Sequence, residues 1–409
     1  MHVLTGTLRA YPWGSRTAIA ELRGEPSPSE RPEAEIWFGA HPTGSSLIED
    51  TPLVDLIEAD PEFELGARVC STYGNRLPFL LKLLAAGEPL SLQAHPSKAQ
   101  AEEGFARENA NGPELNAPNR NYKDDNHKPE LIVALTPFEA MAGFRPISKT
   151  VELFDALNSP ALDHYRPMLE GSDEDVLRSI FTTWIGAPVA TRNQLIDALI
   201  TAAKAVVAKA ESKEASYAEW IVDTLRNIIN LNDRYPGDVG VLGALLLNKV
   251  NLEPGEALYL DAGQLHAYVH GLGVEIMANS DNVLRGGLTS KHVDVPELAR
   301  VLRFVTNDDP RVVSEADSTL PEQGTHYPVP IDEFDISRYE VSGPVAVDHD
   351  GPQIILATKG TLQAQLEGKD HKEPLSISQG HAIWVPAGDP TVHIAPAGDE
   401  PVEFFIARV

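Results

Sequence analysis

Two nine-residue stretches of this chain share one pattern. Gly255-Glu-Ala-Leu-Tyr-Leu-Asp-Ala-Gly263 and Gly380-His-Ala-Ile-Trp-Val-Pro-Ala-Gly388 match in their glycine, alanine, aliphatic and aromatic positions at identical spacing. A repeat of alternating apolar residues between glycine turns restricts the chain to β-structure at both places, and two related barrels are its simplest account. The first copy opens a longer polar stretch, Tyr259 to Lys291, which sets His266, Glu275, Asp281, Arg285 and Lys291 among glycines and apolar residues. Alternation at Val274, Ile276 and Ala278 before the Asn279 to Asn282 turn favours strands, with His266 starting one just past a glycine turn. So many polar groups of both signs on apolar strands read as a pocket wall. The second copy has Thr391 where the first has His266, so it is expected to bind no metal.

The chain has 409 residues, 42% of them hydrophobic, enough for two or three domains with a substantial core. Its 33 basic and 60 acidic residues give a net charge of -27, which argues against nucleic acid or an anionic membrane as partner. No run approaches the roughly 18 apolar residues of a membrane span, and the first residues lack a basic head followed by an apolar core. A monomer in the cytoplasm is expected. Cys70 is the single cysteine, so any metal must rely on imidazole, carboxylate or amide ligands.

Texture along the chain suggests three parts: a discontinuous catalytic β-domain at 1–146 plus 248–325, an inserted helical domain at 147–247, and a C-terminal barrel without metal at 326–409. Acidic caps at Ser172-Asp-Glu-Asp and Thr191-Arg-Asn-Gln precede apolar helical periodicity. The fold class expected is therefore mainly β with an inserted α-helical domain. A helix over Ser97 to Asn109 with Ser97 as N-cap, another over Asp294 to Thr306, and a loop from there to about Tyr327 complete the reading. Trp13 and Trp37 are read as core residues.

Four donors stand out. Gln93 and His95 lie two apart after a glycine turn, so on a strand they share a face. Glu130 sits at the mouth of the apolar strand Leu-Ile-Val-Ala, where a buried carboxylate needs a partner. With His266 these residues offer one amide oxygen, one carboxylate and two imidazoles, a set that suits catalytic Zn²⁺ and also admits Mn²⁺, Fe²⁺ or Co²⁺. Lys82 is the only charge in Pro78 to Ala86 and must either snorkel outward or meet an anion.

Gly87-x5-Gln93-x-His95 resembles the first metal motif of cupins, which are double-sheet jelly-roll barrels, and Asp261-Ala-Gly-x-x-His266 resembles the second. A narrower resemblance covers nearly the whole chain. Tyr122-x-Asp-x-Asn-His-Lys-Pro-Glu130 and His266-Ala-Tyr-x-x-Gly-x-x-x-Glu-x-Met-Ala-x-Ser-Asp-Asn-x-x-Arg285 look like the two signatures of the type I mannose-6-phosphate isomerase family. Gly286 and Ser290 depart from it, standing where the family more often has alanine and proline. The resemblance implies two cupin-like jelly-roll barrels flanking a helical insertion, one Zn²⁺ per chain held by Gln93, His95, Glu130 and His266, and an essential Arg285.

An aldose–ketose isomerase moves a proton between C1 and C2 through a cis-enediol, and metal and cations stabilise the enediolate. Glu275 is the first candidate for the base and Asp281 the second, with ring opening as its other role. Arg285 suits the enediolate, or alternatively the phosphate, and Lys128 joins this catalytic set. Lys82, Ser91, Lys291 and His127 supply cationic and hydroxyl groups for a sugar phosphate. A metal-dependent cupin oxygenase and a non-catalytic sugar-phosphate binder remain alternatives. A second activity making GDP-mannose is disfavoured, because no glycine-rich nucleotide loop with a following lysine occurs at a strand-to-helix turn.

Overall fold

A computed structural model describes residues 1–320, 324–368 and 373–409. The described residues form a ten-stranded, a seven-stranded, a four-stranded and a two-stranded sheet, with a block of helices between Ile147 and Leu245. The chain is thus mixed rather than mainly β: helices are inserted among the sheets, and further helices such as Pro61–Tyr73 and Lys98–Asn111 lie outside the 147–245 block. None of these sheets closes on itself into a barrel among the described residues.

The ten-stranded sheet is built on His266–Ala278, which pairs along one edge with Phe79–Ala86 and Leu92–Ala94 and along the other with Glu130–Ala134 and Phe138–Phe144. Phe79–Ala86 is buried at every position. Its alternation splits the residues between two cores: Leu81, Leu83 and Ala85 face a large cluster with Ile36, Val274 and Ile276, while Leu84 and Ala86 face a smaller one with Ile132 and Tyr268. Lys82 belongs to the second face.

The helices Asp173–Ile185, Val189–Glu211 and Glu219–Arg234 bury Trp184, Leu199 and Leu225 in a cluster that also contains Leu92, Leu265 and Leu284. These last three are sequence neighbours of Gln93, His266 and Arg285, so the helical block braces the strands that carry the candidate site. Ser172 caps its helix as expected, its hydroxyl accepting from the Asp175 N–H. Thr191 does not: the helix already begins at Val189 behind Pro188, whose fixed φ suits the approach to a first turn. The helix Lys98–Asn111 carries a full capping box between Ser97 and Gln100. Val295–Val301 is shorter than the expected helix, and the expected loop beyond it holds the strands Glu315–Asp317 and Gly324–His326.

Sheet membership does not follow the three expected parts. His2–Leu4 pairs with Ala382–Val385, and Glu315–Asp317 joins the same seven-stranded sheet. The seven- and four-stranded sheets enclose an apolar core of Ile355, Leu362, Ile383, Val392 and Phe404.

Candidate metal centre and active site

His95, Glu130 and His266 come together, fully or almost fully buried, with one ligand atom from each lying within 4.8 Å of the others. Pairing brings them there. His266 is the register partner of Gln93, which is also the partner of Arg285, so Arg285, Gln93 and His266 form one row on one sheet face. The turn before His266 needs Gly263, whose φ is 74° and whose N–H donates to the His95 carbonyl at 2.8 Å, joining two ligand-bearing segments.

Hydrogen bonds fix both imidazoles. His95 Nδ1 lies 2.7 Å from the Asn282 carbonyl and His266 Nδ1 lies 2.9 Å from the Gln264 carbonyl. A carbonyl only accepts, so each ring carries its proton on Nδ1 and presents a bare Nε2. Those two nitrogens stand 3.4 and 3.3 Å from the same oxygen, Glu130 Oε2. His95 Nε2 and Glu130 Oε2 have no hydrogen-bond partner although both are buried. Three converging lone pairs with no proton among them repel unless a cation lies between, and such orphaned buried atoms call for one. Burial pushes the His95 imidazole down to about 4, which keeps it in the neutral form a ligand requires. Burial raises the Glu130 carboxyl, but the adjoining Lys128 ammonium pulls it the other way, and it lies well below the usual carboxylate range. The Gln93 amide lies 3.4 Å from His266 Nε2, and an amide turned over presents its oxygen to the same point. The donor set therefore fits a divalent metal ion.

Charged groups surround the cluster. Lys128 Nζ donates to Glu130 Oε1 at 2.8 Å. Lys82 meets an anion rather than snorkelling: its ammonium donates to Glu275 Oε2 at 2.8 Å and lies 3.9 Å from Glu35 Oε1. Burial alone would favour a neutral amine, but Glu275, Glu35 and Glu130 hold it protonated. Tyr268 donates to the second Glu275 oxygen at 2.9 Å, so both oxygens are engaged. Burial raises the Glu275 carboxyl; Lys82 pulls it back, and Glu130 and Glu35 push it up further.

Asp281 is more open. Its carboxylate lies 3.5 Å from His41 Nε2, and its N–H donates to Asp124 Oδ2 at 2.7 Å. Burial raises its carboxyl, and His41 with Lys128 and Lys82 brings it below the usual value. His41 and Asp281 also border a cavity of about 880 Å³ that reaches Arg76, Lys98 and Lys123.

The Arg285 guanidinium makes no hydrogen bond or ion pair among the described residues, and burial lowers its pKa. Exposed Lys291 likewise has no carboxylate partner there, and burial with the Arg285 charge lowers its ammonium. Ser91 is half-buried one residue before Leu92–Ala94. His127 stands apart, its imidazole hydrogen-bonded to the Glu333 carboxylate. Glu35, Trp37, His41 and Tyr268 were not singled out as site residues by the sequence. Tyr268 was recoverable, since it lies two residues beyond His266 on one strand face.

Two buried imidazoles and a carboxylate poised for a cation, beside an unpaired guanidinium, define a protein able to hold a metal ion next to an anion. Comparison with known proteins narrows this. The model of "Phosphomannose isomerase type I, catalytic domain" matches residues 1–147. Mannose-6-phosphate isomerase of Escherichia coli (strain K12) is 36% identical over 404 residues, covering 96% of this chain and 97% of that one. The Homo sapiens protein of the same name is 30% identical, with 94% and 93% covered. A solved variant of phosphomannose isomerase from Salmonella typhimurium has TM-score 0.86 at 32% identity, with 100% of this chain and 99% of that one covered. A mannose 6-phosphate isomerase bound with zinc and yttrium matches with the same score, identity and coverage. The chain belongs to the type I phosphomannose isomerase family, and it is an enzyme of the isomerase class.

Proposed function

We propose that the chain interconverts mannose 6-phosphate and fructose 6-phosphate through a cis-enediol, as a monomeric cytoplasmic enzyme with one Zn²⁺ held by Gln93, His95, Glu130 and His266. The observation that carries the reading is the pair of bare Nε2 atoms facing an orphaned Glu130 oxygen, with unpaired Arg285 in the register row of Gln93 and His266. Bound there, the ion supplies Lewis-acid polarisation of the substrate's carbonyl and hydroxyl oxygens.

The protein groups do the rest. Arg285, with no anion of its own, offers a planar donor fork to the enediolate. Lys291 is the open cation for the phosphate, and Ser91 adds a free hydroxyl. Lys82 and His127 reach substrate only by sharing it with Glu275 and Glu333. Asp281, the open carboxylate, serves ring opening. Glu275 takes the carbon-bound proton: its raised affinity for a proton suits a general base, and one contact, to Tyr268 or Lys82, must loosen as it does so. Lys128 keeps Glu130 ionised. The two-sheet C-terminal region and the site-bearing sheet are read as two jelly-roll units, divided near 325, with the helical block inserted into the site-bearing unit at 147–247.

A coupled assay from mannose 6-phosphate to fructose 6-phosphate, on protein stripped by chelator and refilled with zinc, tests the proposal. Activity lost on stripping and regained on refilling is expected; full turnover by the stripped protein refutes it. Deuterium at C2 washing out to solvent during turnover is expected, and is to be abolished in Glu275→Gln.

A further inference from the structure

We infer that Trp37, acting with Glu35, is a positioning residue for Lys82. This rests on the site reading above, in which Lys82 and Glu275 serve the isomerisation. An aromatic residue in a buried strand is ordinarily core material, and Trp37 is only 7% exposed. Yet it lies outside the large apolar clusters and packs in a small group with only Leu80 and Met277. Its other neighbours are charged or polar.

Strand pairing dictates this company. In Glu35–Phe38, Trp37 is the register partner of Lys82, and on the opposite edge Lys82 is the partner of Glu275. Directly paired residues of antiparallel strands share a face, so Trp37, Lys82 and Glu275 form one row, and Glu35, two residues from Trp37, joins that face. The Lys82 ammonium stands 5.7 Å from the indole centroid, within the range where a ring face attracts a cation. The indole N–H donates to Glu35 Oε2 at 2.5 Å, which turns the other carboxylate oxygen to within 3.9 Å of Lys82 Nζ. The Arg9 guanidinium lies 4.1 Å from the ring centroid, and the His41 ring meets Trp37 edge-on with centroids 5.0 Å apart. The indole is therefore held in place from several sides, with its N–H on one carboxylate and a ring face toward the lysine.

The consequence concerns where the ammonium sits between two anions. Glu275 takes it at 2.8 Å and Glu35 stands back at 3.9 Å, so Lys82 leans toward the candidate base. Were the indole N–H absent, Glu35 would be released to compete for the same ammonium and draw it from Glu275. A misplacement of this size, one bond removed from the reacting atoms, can cost about 10²-fold in rate.

The test is a double-mutant cycle on kcat/KM for mannose 6-phosphate with the zinc-loaded enzyme, using Trp37→Phe, Lys82→Met and both together. Trp37→Phe is expected to lower kcat/KM about 10- to 100-fold through whichever of kcat and KM Lys82→Met moves. In the Lys82→Met background the same change should cost less than about 2-fold. Equal losses in both backgrounds, or full kcat/KM in Trp37→Phe, overturn the inference. Full kcat/KM in Lys82→Met instead overturns the underlying site reading. Should Trp37→Phe not fold, Trp37→Tyr replaces it: a ring is kept beside Lys82, but the indole N–H that holds Glu35 is gone. A loss that vanishes in the Lys82→Met background supports the inference, and one that persists there overturns it.

Discussion

The strands Ala257–Leu260 and Ala382–Val385 follow glycines in the same left-handed conformation, φ 91° at Gly255 and 80° at Gly380, and carry the same pattern of side chains. One leads to His266 and lies beside a face holding Lys82, Glu130 and Glu275. The other leads to Thr391, whose hydroxyl donates to Asp348 at 2.6 Å, above a core of aliphatic and aromatic residues. Similar local sequence thus specifies a similar strand behind a left-handed glycine, though of the closing glycines only Gly263 is left-handed, and chemistry depends on what neighbouring strands bring opposite it. Buried charge costs free energy unless paired, so a site wall crowded with it stands only as a network in which nearly every group has a partner.

Substitutions in the two copies can break that contrast. The largest effect is expected for His266→Ala, which should lose bound zinc and at least about 10³-fold in kcat/KM, beyond the 10- to 100-fold typical of groups that merely orient a ligand. Metal analysis and the coupled assay read both. Thr391→His, the reverse change, should leave zinc at one per chain; a second equivalent would show the copies to be interchangeable. Arg285→Ala should cost about 10²-fold in kcat/KM while zinc content holds, as for loss of one donor to a developing anion.

Stability distinguishes the copies next. In the seven-stranded sheet, which contains the second copy, Asp317 accepts from Ser337 and Tyr339, both at 2.6 Å, and from Thr319. Burial raises its carboxyl, but these three hydroxyl donors outweigh burial and hold it far below the usual range. A carboxyl with a depressed folded-state pKa stabilises above its unfolded value, about 3.9, and that contribution is lost as pH falls toward the folded value. Asp317→Asn should therefore lower unfolding free energy by about 1–3 kcal/mol at neutral pH, with the gap to wild type narrowing below about pH 4. Denaturant titrations at pH 7 and pH 3 check this, with catalytic constants of the folded enzyme unchanged. The smallest effect is expected for Thr391→Ala, under about 1 kcal/mol by the same titration and none on turnover.

Much of this arrangement was legible in the sequence. The two-residue spacing of Gln93 and His95 announced a shared direction, and the glycine before His266 announced a turn, because both are local rules of backbone geometry. Lys82 was legible only as a choice between solvent and an anion; its partner lies on a strand nearly two hundred residues away, and register decides. Trp37 was read as core because burial and aromaticity do not reveal which side chains pair across a sheet. Thr191 was misplaced as a cap because Pro188 offered an earlier start. The pairing of His2–Leu4 had no local signal at all, since a three-residue strand is defined only by its partner.

That short first strand has a consequence during synthesis. At about 5–20 residues per second, roughly twenty seconds to over a minute separate the emergence of His2–Leu4 from that of Ala382–Val385. Until then His2–Leu4 lacks its partner strand on that edge, and a late-made stretch of polypeptide claims a much earlier one. Because it also needs Val402–Arg408, the seven-stranded sheet is the last to be completed, a clasp shut after the metal-binding strands have already had time to assemble.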